Sequence, residues 1–276
     1  MKKISIALIT AGLVSFASAD FLSISAGAGY EQQNIDGYVK LGDTINYFNK
    51  KSAESDGNCD TGNFGLKDES NPYVWVKLIH PVPIIPNVKI QYTKYDTSGH
   101  SNYVAGGVKI FGDVKIPAAL TDVSSEQTIN SYDLTFFYEF KPVVADIEAG
   151  FGLDIWQGNT KIAGDNATCI NGTLTKTGGS TAIDEDWTVI LPYLYGHIET
   201  MQIFGVSILA DVKWAKAGDN HHYDYQGAVK YTIDIPGPVN PFIKAGYRYK
   251  EAYGVDGDNE TEVKYKGIFI EAGAKF

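Results

Sequence analysis

Between Ala145 and Ile155 the chain alternates without a break. Ala145, Ile147, Ala149, Phe151, Leu153 and Ile155 share one face, and Asp146, Glu148, Gly150, Gly152 and Asp154 share the other. A period of two marks a β-strand, because successive side chains point to opposite faces. Three carboxylates on one face cannot lie against hydrocarbon, where a charge near the midplane costs roughly 2–4 kcal/mol. That face must line a wet or ion-paired interior, which is what the wall of a membrane barrel requires.

The segment before it completes a hairpin. Tyr132, Leu134, Phe136, Tyr138 and Phe140 oppose Asp133, Thr135, Phe137 and Glu139, with a tight turn at Lys141-Pro142. The same alternation predicts strands at Phe21–Glu31, Pro72–His80, Val88–Tyr95, Trp187–Gly196, Phe204–Trp214, Tyr223–Ile233, Phe242–Glu251 and Val263–Phe276. Proline-rich runs at Pro81–Pro86 and Pro236–Pro238 end one strand before the next begins, since proline cannot donate to a ladder. The expected fold is all-β, an antiparallel up-and-down transmembrane barrel of about 10 strands, in a range of about 8–12. Tyr103–Ile116 is either a further hairpin, raising the count to about twelve, or a piece folded above the membrane.

Connection lengths orient the barrel. Pro81–Asn87, Lys141–Val143, His197–Gln202 and Pro236–Pro241 are short, whereas Ile35–Asn71, Asp96–Ser131 and Gln157–Asp186 are long. Ala215–His222 and Ala252–Glu262 fall on the same side as the long set. Short periplasmic turns and long extracellular loops are the barrel pattern, and both termini then lie on the periplasmic side.

No mature segment offers the roughly 18 consecutive apolar residues of a membrane helix. Eighteen tyrosines and 29 glycines suit aromatic girdles and crowded inward faces. A tyrosine-rich soluble sandwich shares that composition, but the alternation recurs through most of the chain and favours the barrel. A net charge of −10 makes nucleic acid a poor partner and points to cations, cationic molecules or divalent-bridged lipopolysaccharide. At the N-terminus, Lys2 and Lys3 precede the apolar run Ile4–Phe16 and the small-residue site Ala17-Ser18-Ala19. This reads as a signal peptide over 1–19, leaving a single barrel domain over 20–276 that starts at Asp20.

Inside a barrel this narrow, side chains fill much of the lumen. The alternation turns Asp133, Glu139, Asp146, Glu148, Asp154 and Asp211 inward, with Lys77, Lys89, Lys213, Lys244, Arg248, Lys250 and Lys275. These charges form either a salt-bridged plug or the selective lining of a small pore. Cys59 and Cys169 fall in the first and third expected loops, and two thiols in an exported chain pair in the oxidising periplasm. A disulfide between them is expected.

Catalytic and metal signals are thin, and no cofactor is indicated. His100, flanked by Ser98 and Ser101, and His221-His222, beside Asp219 and Asp224, are the external candidates for a rim hydrolase acting on lipid A or peptides. No residue is assigned a catalytic or metal role, and the chain is not expected to be an enzyme. Asp256-Gly257-Asp258-Asn259-Glu260 looks like a fragment of a calcium loop, but it lacks the glycine and distant glutamate of an EF-hand.

The chain ends on a strand in which Ile268, Ile270, Ala272, Ala274 and Phe276 oppose Phe269, Glu271, Gly273 and Lys275. A terminal aromatic on such a strand resembles the targeting signal that bacterial barrel-assembly machinery reads. Here the larger aromatic commonly found two positions before the end is absent. From signal peptide to Phe276 the chain resembles small Gram-negative outer-membrane β-barrels, and looks most like an uncharacterised proteobacterial family of that kind. The resemblance implies export to the outer membrane and contact with its lipids and lipopolysaccharide. It brings no catalytic residues and sets no oligomeric state. The expected role is structural or narrow-pore, with surface binding through the external loops as the alternative.

Overall fold

The protein is described by a computed structural model over residues 22–49, 59–82, 84–110, 114–170 and 173–276. The expected signal peptide 1–19, the mature start at Asp20, Phe21 and Pro83 lie outside the described residues. In chain order the strands are β1 (Ser23–Leu41), β2 (Thr44–Asn49), β3 (Thr61–Leu66), β4 (Glu69–Ile79), β5 (Asn87–Val104), β6 (Lys109–Ile110), β7 (Val114–Lys115) and β8 (Ala119–Phe140). They continue as β9 (Ala145–Ile170), β10 (Thr173–Thr200), β11 (Val206–Ala217), β12 (Asn220–Thr232), β13 (Asn240–Asp256) and β14 (Asn259–Lys275).

Ten of these close a ring, in the order β1, β4, β5, β8, β9, β10, β11, β12, β13, β14 and back to β1, each antiparallel to its neighbours. The expected count of about ten is met. The seam closes at the chain ends, where Ile24 and Phe276 exchange backbone bonds of 2.7 and 3.3 Å. Closure leaves no unpaired edge in the lower wall, which hydrocarbon demands because it offers no hydrogen bonds.

Around the lower wall Ile90, Tyr138, Phe151, Ile190, Ile208, Val229, Ile243 and Ile268 stand exposed and form an apolar belt. The belt ends at Tyr132, Ile155, Ile190 and Tyr225. Above it the outward residues turn polar: Asn130, Thr128 and Glu126 on β8, Gln157, Asn159 and Lys161 on β9, Lys266 and Lys264 on β14. The inward residues change the opposite way. Ile35, Val39, Tyr95, Val123, Ile129, Trp156, Ile162, Trp187, Val263 and Tyr265 form one buried apolar cluster inside the upper barrel. The same wall is therefore inside-out within the lipid and core-in above it.

This corrects the expected long loops. Gln157–Asp186 is almost wholly the continuation of β9 and β10, and Asp96–Ser131 mostly that of β5 and β8. Their Thr, Ser, Asn and Gly content resembles loop composition because no lipid calls for apolar residues outside. Within Tyr103–Ile116, the β6–β7 hairpin folds above the membrane rather than joining the wall. It drives Val108, Ile110, Val114 and Ile116 into the apolar cluster. Beyond the top of β4, β2 and β3 carry the sheet from β1 to β5 as a parallel pair.

Cys59 and Cys169 are bonded, with sulfurs 2.02 Å apart, and join the entry to β3 with the upper end of β9. The bond closes a sequence separation of 110 residues, worth on the order of 4 kcal/mol in chain-entropy terms. Replacing both cysteines by serine is expected to leave the belt folded and heat-modifiable on gels while speeding proteolysis of the upper barrel, the head, several-fold. Equal cleavage rates would show that the bond holds nothing in place.

Candidate functional site

The lumen is built in three tiers. At the end of the barrel that holds Ser25 and Lys275 lies a cavity of about 560 Å³ whose lining includes Trp75, Lys77, Glu148, His197, Asp211, Phe242 and Lys244. Three ion pairs stand in its wall: Lys77 with Glu148, Lys230 with Glu199, and Lys244 with Glu271 at 2.8 Å. Asp211 accepts from Tyr195 and meets His197, both at 3.1 Å. Trp75 and Phe242 stack at 6.2 Å, and the Lys89 ammonium lies 5.6 Å over the Trp75 ring. Directly above, Lys89, Gln91, Lys213, Asp224 and Arg248 surround a void of about 10 Å³, the size of one water.

The middle tier is an ion girdle at the top of the apolar belt. Arg248 grips Asp224 with two nitrogens, at 2.8 and 2.6 Å, and sends a third to Glu31 at 2.9 Å. Lys213 pairs with Asp133 and lies 3.6 Å from Asp224. Lys250 pairs with Asp154 at 2.7 Å, while Ser131 donates to the same carboxylate at 2.6 Å. Tyr193 donates to Asp133 at 2.7 Å. Glu31 and Asp154 are 0% exposed. In so dry a place each charge is tolerated because it has a counter-charge and hydrogen bonds.

The strands aim these groups by alternation, and glycines make room for the aromatics among them. A Cβ at Gly152 would stand 2.3 Å from the Tyr193 hydroxyl, and one at Gly158 would stand 2.1 Å from the Trp187 ring. The third tier is the apolar cluster of the upper barrel. It begins where Lys250 lies 4.8 Å over Trp156 and 5.1 Å over Tyr95.

The residues singled out in the sequence divide among these tiers. Asp133, Asp154 and Arg248 stand in the girdle, Glu148 and Lys244 in the cavity wall. Asp146 lines the cavity nearer its mouth, and Glu139 pairs there with Lys141 at 2.9 Å. Glu31, Asp224 and Glu271 complete the network. All three obey the inward alternation, which was the signal available for them.

The external histidines separate. His100 meets Asp122 at 3.1 Å on the outer wall, with both side chains more than half exposed. His222 is 1% exposed. It lies inside the barrel, 3.6 Å from Asp154 and edge-on to Trp156, so it is not a rim residue. The Asp256–Asn259 turn has a structural use: Asn259 bonds both the N–H and C=O of Lys109, at 3.2 and 2.8 Å, and clamps the β6–β7 hairpin.

No family model matches the chain, and no curated protein matches it. Among solved structures it is similar to the outer-membrane protease OmpT from Escherichia coli, at 8% identity over 94% of this chain and 97% of that one, with a TM-score of 0.42. It is also similar to the attachment invasion locus protein Ail of Yersinia pestis, at 11% identity over 92% and 98%, TM-score 0.32. The toluene transporter TodX of Pseudomonas putida is similar at 8% identity over 95% and 90%, TM-score 0.28. The closed ring, the apolar belt and the charged interior define a membrane-spanning β-barrel.

Removing one member of a buried ion pair leaves the other uncompensated and costs roughly 3–5 kcal/mol. Arg248→Met is therefore expected to lower the urea midpoint of the refolded barrel markedly. Adding Glu31→Gln and Asp224→Asn should recover much of the loss, whereas additive losses would mean the three do not act as a unit.

Just above the belt Glu251 accepts hydrogen bonds from Tyr249 and from His221, the latter at 3.1 Å. Burial alone would raise its carboxyl, but these bonds and the nearby Lys264 hold it below its ordinary 4.5. With a depressed folded value, its contribution is present above about pH 4.5 and is lost as pH falls through that folded value. An NMR titration of the Glu251 side-chain carboxyl should show a midpoint below 4.5, and a midpoint above it would contradict the contacts.

Proposed function

We propose that this protein is a non-conducting outer-membrane scaffold that holds a rigid, acidic head outside the cell for surface binding. The observation that carries the reading is the pair of seals stacked in the lumen. The cavity of about 560 Å³ opens at the periplasmic end, and the girdle of Glu31, Asp133, Asp154, Lys213, Asp224, Arg248 and Lys250 lies across its roof. The apolar cluster then fills the barrel above. An ion on this path would have to part buried pairs and then cross a dry core. The pore reading is the weaker for it, and the lumen charges act as a brace.

The head supports a binding role. It stands above the belt on extended strands and is tied by Cys59–Cys169. A rim hydrolase has less behind it, since His222 is enclosed and the His100–Asp122 pair lies open to solvent on the outer wall. In this reading residues 1–19 direct export and are removed, and Phe276 presents the last strand to the assembly machinery.

The test is conductance of the refolded mature protein in a planar bilayer. The wild type is expected to stay silent while migrating as a folded, heat-modifiable barrel on a gel. Reproducible ion-selective steps would overturn the scaffold reading and return the lumen charges to the lining of a pore.

A further inference from the structure

The wall of the head has a notch. β10 pairs with β11 from Leu194 to Glu199, opposite Trp214 to Leu209, and that ladder goes no higher. β11 and β12 turn back at Ala217 and Asn220, while β10 runs on to Thr173. Its other edge is paired with β9, with a bulge between Lys176 and Ser180. Among the described residues, 173–193 of β10 thus present one open edge above the short hairpin. Across the notch β13 is already capped, because the Val255 N–H donates to the Asn220 side chain at 2.7 Å.

An open edge by itself says little, since native sheets leave short edges guarded by charge or proline. This edge is long, it runs well above Pro192, which stands at its lower end with no N–H to offer, and it has a sorted environment on its two faces. Behind it lies a cavity of about 190 Å³ bounded in part by Ile110, Val189, Leu191, Ala252 and Val255. On the solvent side Asp184 and Asp186 are exposed, each accepting from Asn159 at 2.9 Å and Asp184 also 3.4 Å from Lys161, with Asp219 on the turn below. A strand added here would send alternate side chains into the apolar cavity and the others out among carboxylates.

From this geometry we propose that the β10 edge above Leu194 takes up an extended segment of a partner protein in which basic and apolar residues alternate. The inference rests on the head being a binding module, and it names the chemistry of what is bound. A second copy of the same edge fits poorly, because it would set Asp184 and Asp186 against their own kind.

The probe is a fluorescent, end-capped peptide of about eight residues alternating Lys and Val, added to the refolded mature protein in zwitterionic micelles. Two control peptides carry Glu for Lys, or a methyl on every backbone nitrogen so that neither edge can donate to a ladder. Binding is read by anisotropy and by hydrogen exchange of the β10 amides. The Lys-Val peptide is expected to bind at least about tenfold more tightly than either control and to slow exchange between residues 183 and 193. Asp184→Asn with Asp186→Asn should weaken it several-fold.

Absence of binding overturns the proposal, as does equal binding of the N-methylated peptide, which would mean charge attraction without strand addition. Slow exchange of these amides in peptide-free protein, rising with protein concentration, would assign the edge to a second copy and overturn it too. Conductance separates the two levels: a silent barrel that ignores the peptide sinks this inference alone, whereas a conducting one sinks the scaffold reading.

Discussion

Each lipid-crossing strand of this barrel is surrounded by hydrocarbon below the level of Tyr132, Ile155, Ile190 and Tyr225 and by water above it. That change of solvent, met partway along continuous strands, organises the rest. Where lipid is outside, apolar side chains point out and the polar ones must find each other within. Where water is outside, the ordinary arrangement returns and Trp156, Ile129, Trp187 and Val263 gather into a core. The alternation never slips across the boundary on β9, so Ile155 and Gln157 share a face while the kind of residue that suits it reverses.

The ion girdle sits at this junction for a physical reason. Inward charges are compulsory in the lower barrel, since the lipid-facing positions cannot hold them. In the girdle they persist because counter-charges on other strands reach them. Arg248 does so from β13 to β12 and β1, Lys213 from β11 to β8, and Lys250 from β13 to β9. Six ring strands are thus joined through their interiors as well as through their ladders. The lysine stems carry the transition upward, with Lys250 laying its cation over Trp156 and Tyr95, the first aromatics of the dry core. A brace of this kind rigidifies the base on which the head stands.

The legibility of the chain follows the same boundary. In the lower barrel the contrast between lipid and charge is steep, so the hairpin from Tyr132 to Ile155 could be read residue by residue. The inward set including Asp133, Asp154 and Arg248 came with it. Above the boundary the contrast is shallow: Ser125, Gln127, Thr160 and Gly164 are mild on either face, and a wall built from them reads as loop. His222 shows the cost of that misreading, because a residue placed in a loop is taken to face solvent. It is instead two residues along β12 from the inward Asp224, on the same face, and shares its burial. Glu31 was legible in principle, but it stood at the end of a strand that was cut short.

The sequence by itself determined the class: a closed antiparallel barrel of about ten strands, charged within and aromatic at its margins, and two cysteines available to tie its outer parts. Period-two alternation suffices for this, because a strand's two faces are set by the backbone and lipid tolerates only one kind of neighbour. What only the tertiary structure decided is which inward charges meet, that the lumen closes on them, and that the wall rises beyond the membrane with its polarity reversed. It also decided where that wall is left open, beside β10. These depend on register, on the depth at which each strand leaves the lipid, and on how far β11 and β12 rise before turning back. Such relations hold between strands distant in the chain, and no local pattern records them.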